Sequence, residues 1–149
     1  MPMRPASTER RLLQVAVALL ALVPILAGAA GVVWGLDVFD AGAGVSRSGD
    51  SHIRYLSGLI LAIGFGFWTT VPGIDRQGVR FRLLAGLVFV GGMARLYGIA
   101  RHGVPGLGMT GGLVMELVVT PLLALWRENL ERRMRMPISH RARTGRDCS

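Results

Sequence analysis

The chain has 149 residues, 51% of them hydrophobic, with a mean hydropathy of +0.46 and a formal charge of +8. Half apolar content excludes a disordered basic chain. A charged fraction of 17% is low for an ordinary soluble domain, where about a quarter of residues are charged, so the chain reads as a small membrane protein whose charge lies outside its apolar spans.

Four apolar stretches follow in order. Leu12–Leu36 carries no charge and only Gln14 as a strongly polar side chain. At the rise of an α-helix its length is about 37 Å, enough to cross a bilayer with tilt. Ile53–Val71 ends before Pro72-Gly73, Phe81–Ala100 contains Arg95, and Leu107–Trp126 contains Glu116. Each has the length that a spanning helix requires. Glycine and proline mark the breaks, at Ala41-Gly42-Ala43-Gly44, Pro72-Gly73 and Gly103-Val104-Pro105-Gly106. The runs are continuous, which argues against the alternating segments of a spanning β-barrel. They lack the polar face of a soluble bundle. The expected fold is all-α, an integral membrane four-helix bundle. Residues 1–11 form a basic N-terminus, residues 12–130 the transmembrane domain, and residues 131–149 a basic, disordered tail.

All seventeen basic residues are arginine, and thirteen of them fall on one side of these spans. They lie before Leu12, around the second loop (Arg76, Arg80, Arg82) and from Arg127 to Arg146. The positive-inside rule then places both termini in the cytoplasm, in a multi-pass inner-membrane protein. A signal-peptide reading of Met1–Ala29 is the rival. The first apolar run is longer than a signal core of about 7–15 residues, which favours a retained helix. The tail suits anionic inner-leaflet lipid better than nucleic acid, because nothing in it suggests base readout. The single Cys148 supplies neither an internal disulfide nor a metal cluster.

Helix association in lipid depends on close backbone approach. Small residues recur at spacing four in Ala27, Gly31 and Gly35, in Gly58, Ala62 and Gly66, and in Gly108 and Gly112 ahead of Glu116 and Thr120. Gly91 and Gly92 lie one turn below Arg95. These positions are expected to pack helices within the chain. Pro121 is expected to kink the fourth helix, with Thr120 bonding to the backbone there.

Arg95 and Glu116 are the informative charges. By helical rise they lie about 8 Å and about 13 Å below the outer surface. Helical side chains lean toward their own N-terminus, so on antiparallel helices these two lean toward each other. A lone charge at this depth costs at least about 2.5–3.5 kcal/mol, and pairing reduces that cost. The pair either locks the third and fourth helices or lines a polar cavity for a headgroup, a quinone or another small ligand. The lock is preferred, because a matched pair neutralises itself. Arg54 is expected to snorkel to the outer interface and meet Asp37, Asp40 or Asp50. The alternative adds Arg54, Tyr55 and His52 as the mouth of the Arg95–Glu116 site. No catalytic residue, metal site or cofactor is predicted, since nucleotide, hydrolase and zinc-protease motifs are missing from the sequence.

Three segments together carry a family resemblance. They are His52-Ile53-Arg54-Tyr55-Leu56-Ser57-Gly58 leading to Phe67-Trp68, Phe81-Arg82-Leu83-Leu84 leading to Gly91-Gly92-Met93-Ala94-Arg95-Leu96, and Glu116-Leu117-Val118-Val119-Thr120-Pro121 leading to Trp126. In that order and spacing they resemble the bacterial membrane family of domain of unknown function 4345 (DUF4345), over most of Leu12–Leu130. The resemblance implies a small four-helix inner-membrane protein and supplies no activity. It implies that Arg54, Arg95 and Glu116 lie in motif segments. A weaker similarity of layout connects the chain to DoxX-like four-helix membrane proteins, some of which are associated with quinone chemistry. The expected function is non-enzymatic binding of a membrane protein partner or a small amphipathic ligand. The alternatives are a quinone-associated redox subunit and a proton or solute path.

Overall fold

A computed structural model describes residues 5–36, 46–104 and 106–135. All regular structure among them is helical. Helix α1 runs Pro5–Trp34, α2 Arg47–Thr70, α3 Gly78–His102 and α4 Leu107–Val114. A π-helical turn, Met115–Val119, joins α4 directly to α5, Thr120–Arg135. Four stretches are long and apolar enough to cross a membrane: Ser7–Trp34, Arg47–Thr70, Gly78–His102 and Leu107–Arg133. The chain is a multi-pass membrane protein of the all-α class.

The helices extend beyond the apolar stretches that mark them in the sequence. Ser46 caps α2, its Oγ accepting from Gly49 N–H at 3.1 Å, so the polar residues from Arg47 onward are already helical. Helix α1 begins seven residues ahead of Leu12, and α5 continues past Trp126 to Arg135. The tail from residue 136 onward, and the loop residues Asp37, Asp40 and Ala41–Gly44, lie outside the described residues.

The chain divides into two compact units. One is the α1–α2 hairpin, Gln14–Pro72. Its helices meet where side chains are smallest. A Cβ on Gly28 would lie 2.6 Å from Leu61 N and 2.7 Å from Ser57 O, and one on Gly64 would lie 2.7 Å from Ile25 Cγ1. Gly31 abuts the buried Ser57 side chain. Such close approach replaces the hydrophobic drive that lipid does not provide. At the closed end, Gln14 Nε2 donates to Val71 O at 2.7 Å.

At the other end of the hairpin, α1 gives way to Gly35, whose φ of 58° is left-handed and suits a helix stop. Arg54 of α2 then donates through Nη1 to the carbonyls of Val32 and Val33, at 2.7 and 2.9 Å. These belong to the last turn of α1, whose carbonyls lack helical partners. Asp50 holds Arg54 Nε at 2.7 Å and accepts from Leu36 N–H at 3.2 Å. Of the three acids expected near Arg54, Asp50 is the one described in contact with it.

The second unit joins Met1–Leu13 to Gly73–Ser149. It contains the start of α1 and all of α3, α4 and α5. Within it α3 packs on the π turn. A Cβ on Gly92 would lie 2.8 Å from Leu117 Cδ2 and 2.9 Å from Glu116 Cβ.

The small-residue stripes are placed unevenly. Gly31, Gly35, Gly92 and Gly112 have close neighbours, whereas Gly58, Gly91 and Gly108 face open space. Ala62 and Ala27 are exposed, and Gly66 is half-buried. On α2 the close contacts fall at Ser57, Leu61 and Gly64 rather than along Gly58, Ala62 and Gly66. Apolar residues surround these helices, so hydropathy leaves their rotation about the axis undetermined.

Candidate functional site

The second unit brings Arg95 and Glu116 together. Arg95 Nη2 stands 3.1 Å from Glu116 Oε1. Arg95 lies on α3, seven residues and about 10 Å from the end of that helix. Glu116 is the second residue of the π turn. Gly112 opens the space between them, since a Cβ there would lie 3.3 Å from Arg95 Nη1. Gly92, one turn along α3 from Arg95, admits Glu116 Cβ and the Leu117 side chain.

The π turn has a local cause in the sequence. Pro121 has no N–H, and its ring crowds the carbonyl four residues earlier. Widening the preceding turn relieves that crowding, and π turns recur in helices at such places. Thr120 closes the turn twice. Its N–H is bonded to the Met115 carbonyl, and its Oγ1 donates to the same oxygen at 2.9 Å. The expected involvement of Thr120 is present, and the carbonyl it satisfies is that of Met115.

The ion pair leaves each partner with capacity unused. The contact is through one nitrogen and one oxygen. Arg95 Nη1 donates to Met109 Sδ at 3.4 Å, and a thioether is a weak acceptor. Glu116 Oε2 is buried and has no hydrogen-bond partner among the described residues. The two side chains are 28% and 22% exposed, so the pair is reachable from the outside of the unit. Chemically, the site offers a cationic donor, a carboxylate oxygen and a thioether within an otherwise apolar span.

Arg54, Tyr55 and His52 belong to the hairpin unit. The bonds of Arg54 to Asp50, Val32 and Val33 give it a structural task at the end of α1. Tyr55 and His52 are exposed and line a shallow surface groove on α2 with Arg47, Ser48 and Ser51.

The most buried charge in the described structure is one that the sequence assigns to orientation. Arg127 is 2% exposed, among the largest fully buried side chains. Its Nε donates to Ile74 O at 2.7 Å, and its Nη2 to Asp75 O at 3.3 Å. Glu131 pairs with it one turn along α5, at 3.0 Å. Around it, Arg10 meets Asp75 at 2.9 Å, Arg82 meets Glu128 at 3.6 Å, and Trp126 Nε1 donates to Glu9 at 3.3 Å. These bonds tie the start of α1 and the 73–77 turn to α5. In the sequence, the acidic residues Glu128 and Glu131 beside Arg127 are the local signal for these bonds.

A family model described as domain of unknown function (DUF4345) matches residues 12–127. The chain belongs to the DUF4345 family. The match spans both Arg95 and Glu116, and the three motif segments of the resemblance all fall inside it. No curated protein and no solved structure matches the chain.

Proposed function

We propose that this DUF4345 protein is a non-enzymatic inner-membrane protein that binds a small amphipathic ligand, or a membrane partner, at Arg95 and Glu116. The observation that carries the reading is the incomplete satisfaction of the pair. Intramembrane charge is costly, and a pair serving only as a lock gains most when its valences are filled by each other. Here one guanidinium nitrogen rests on a thioether and one carboxylate oxygen has no partner among the described residues. A ligand with an apolar body and a polar head of donor and acceptor atoms fits that set. A quinone, with its ring carbonyls, is one such molecule, and lipids with ester or hydroxyl heads are others.

Both termini are cytoplasmic in this reading, from the excess of arginine on one side of the spans. The tail after Leu130 rests on anionic inner-leaflet lipid.

The test is purification in mild detergent followed by mass spectrometry of co-purified small molecules. A defined molecule retained by the native chain, and lost from folded Glu116→Gln and Arg95→Gln variants, is the expected result. A quinone identified there selects the redox-subunit reading. Identical bulk lipid in native and variant samples counts against the site and leaves the pair as a lock between α3 and the π turn.

A further inference from the structure

We propose that Arg127 and the N-terminus of α3 together hold one phosphate-type oxyanion, either a lipid headgroup phosphate or free phosphate. The site is separate from Arg95, which lies seventeen residues and about 25 Å further along the same helix.

The guanidinium of Arg127 is 1% exposed, and three of its contacts are made with Ile74, Asp75 and Glu131. Its Nη1 is buried and has no hydrogen-bond partner among the described residues. Both terminal nitrogens lie 2.6 Å from the position that a Cβ would take on Gly78. Gly78 is the first residue of α3, a helix of 25 residues. Its N-cap, Gln77, makes no side-chain capping bond. An unaccepted guanidinium donor is therefore aimed at the end of a helix whose first amides have no side-chain cap.

Two electrostatic difficulties coincide at this point. The N-terminus of a helix carries a partial positive charge and disfavours a cation. A buried donor without an acceptor is rare in a native structure. One oxyanion between them answers both, accepting from Nη1 and from the first N–H groups of α3. Three of the neighbouring acids are met by other arginines, and Glu131 takes Arg127 Nη2, which leaves Nη1 as the donor for the oxyanion. Asp75 is paired with Arg10, Glu128 with Arg82, Glu9 with Arg133 at 3.9 Å, and Glu131 with Arg127 itself. Arg80, in the first turn of α3, is exposed and has no carboxylate within salt-bridge distance among the described residues. Val79 and Arg80 are both exposed, so the amide end of the site opens outward. Glycine at position 78 lets the guanidinium reach this place, since a Cβ there would force it to shift.

The full chain, delipidated in a non-ionic detergent and labelled with nitrogen-15, provides the test. The amides of Gly78, Val79 and Arg80 and the side-chain nitrogens of Arg127 are followed as inorganic phosphate is added. They are followed again with micelles doped with phosphatidylglycerol, and with neutral diacylglycerol as the control. Saturable shifts at these groups with phosphate identify free phosphate. Shifts with phosphatidylglycerol alone identify a lipid headgroup. No saturable shift with either overturns the proposal, and this native titration decides without any variant. Arg127→Lys, which keeps the charge and loses Nη1, is expected to weaken binding about tenfold. A folded Arg127→Lys chain of unchanged affinity also overturns the assignment.

Discussion

Arg95 of α3 meets Glu116 of the π turn at 3.1 Å, across the gap left by Gly112. Neither charge is fully enclosed, so their coupling is expected at about 1–2 kcal/mol, between surface and buried pairs. A double-mutant cycle with Arg95→Met and Glu116→Leu, read from detergent or lipid unfolding, measures it. Each single variant leaves an unpaired charge in an apolar span and is destabilised. The double variant is expected to lie closer to the native chain than either single variant. Additive losses would show that the two residues do not interact energetically.

The hairpin makes a sharper prediction about glycine. Gly28→Ala places a methyl group 2.6–2.8 Å from the backbone of Ser57 and Leu61, which cannot yield cheaply. It is expected to cost about 1–3 kcal/mol, the range of overpacking in a close-fitted interface. Gly58→Ala, on the same pair of helices but facing open space, is expected to be neutral or slightly stabilising. Comparison of thermal midpoints for the two variants checks this. Equal losses would place a neighbour against Gly58, such as a second copy of the chain.

The contrast between Gly28 and Gly58 shows where the sequence was informative. Apolar runs long enough to span are visible because hydropathy averages over many residues. Arg95 and Glu116 are visible because a charge inside such a run is costly enough to require a partner. Rotational phase is not visible where every face is apolar, and the α2 stripe was displaced by about one residue for that reason. Helix ends are not visible in hydropathy where a cap decides them, as Ser46 does for α2. Arg127 was hidden differently. Its charge has the sign that orientation demands, and only the fold brings the Ile74 and Asp75 carbonyls to it. The π turn leaves no mark on composition, although Thr120-Pro121 is a local cue to it.

Arg54 acts as a cap on a helix distant in sequence. Arg54→Met is expected to remove the bonds to Val32 and Val33 and release Asp50. Loss of a charge-assisted cap of this kind is expected to cost about 1–2 kcal/mol. Hydrogen exchange at the last turn of α1 is expected to quicken while that at mid-helix stays unchanged. Uniform loss of protection along α1 would instead assign Arg54 to the stability of the hairpin as a whole.

Orientation is testable by accessibility. With both termini cytoplasmic, a cysteine introduced at Ser48 in a Cys148→Ser background is labelled by an impermeant thiol reagent from outside the cell. One introduced at Arg76 is labelled only after permeabilisation. The opposite pattern would invert the topology inferred from arginine placement.

The π turn connects Pro121 to the ion pair. Restoring the N–H with Pro121→Ala removes the crowding at the carbonyl of Leu117 and permits an ordinary α-helical turn. Loss of the extra residue in that turn rotates α4 relative to α5 by about 100°. Glu116 is then carried off the face that meets Arg95. The Arg95–Glu116 coupling, measured by the same double-mutant cycle in the Pro121→Ala background, is expected to fall toward zero. Thr120→Val is milder, since it loses only the hydroxyl bond to Met115, about 0.5–1.5 kcal/mol, and keeps the backbone one. A coupling that survives Pro121→Ala but vanishes with Thr120→Val would identify the threonine, rather than the proline, as the residue that holds Glu116 in place.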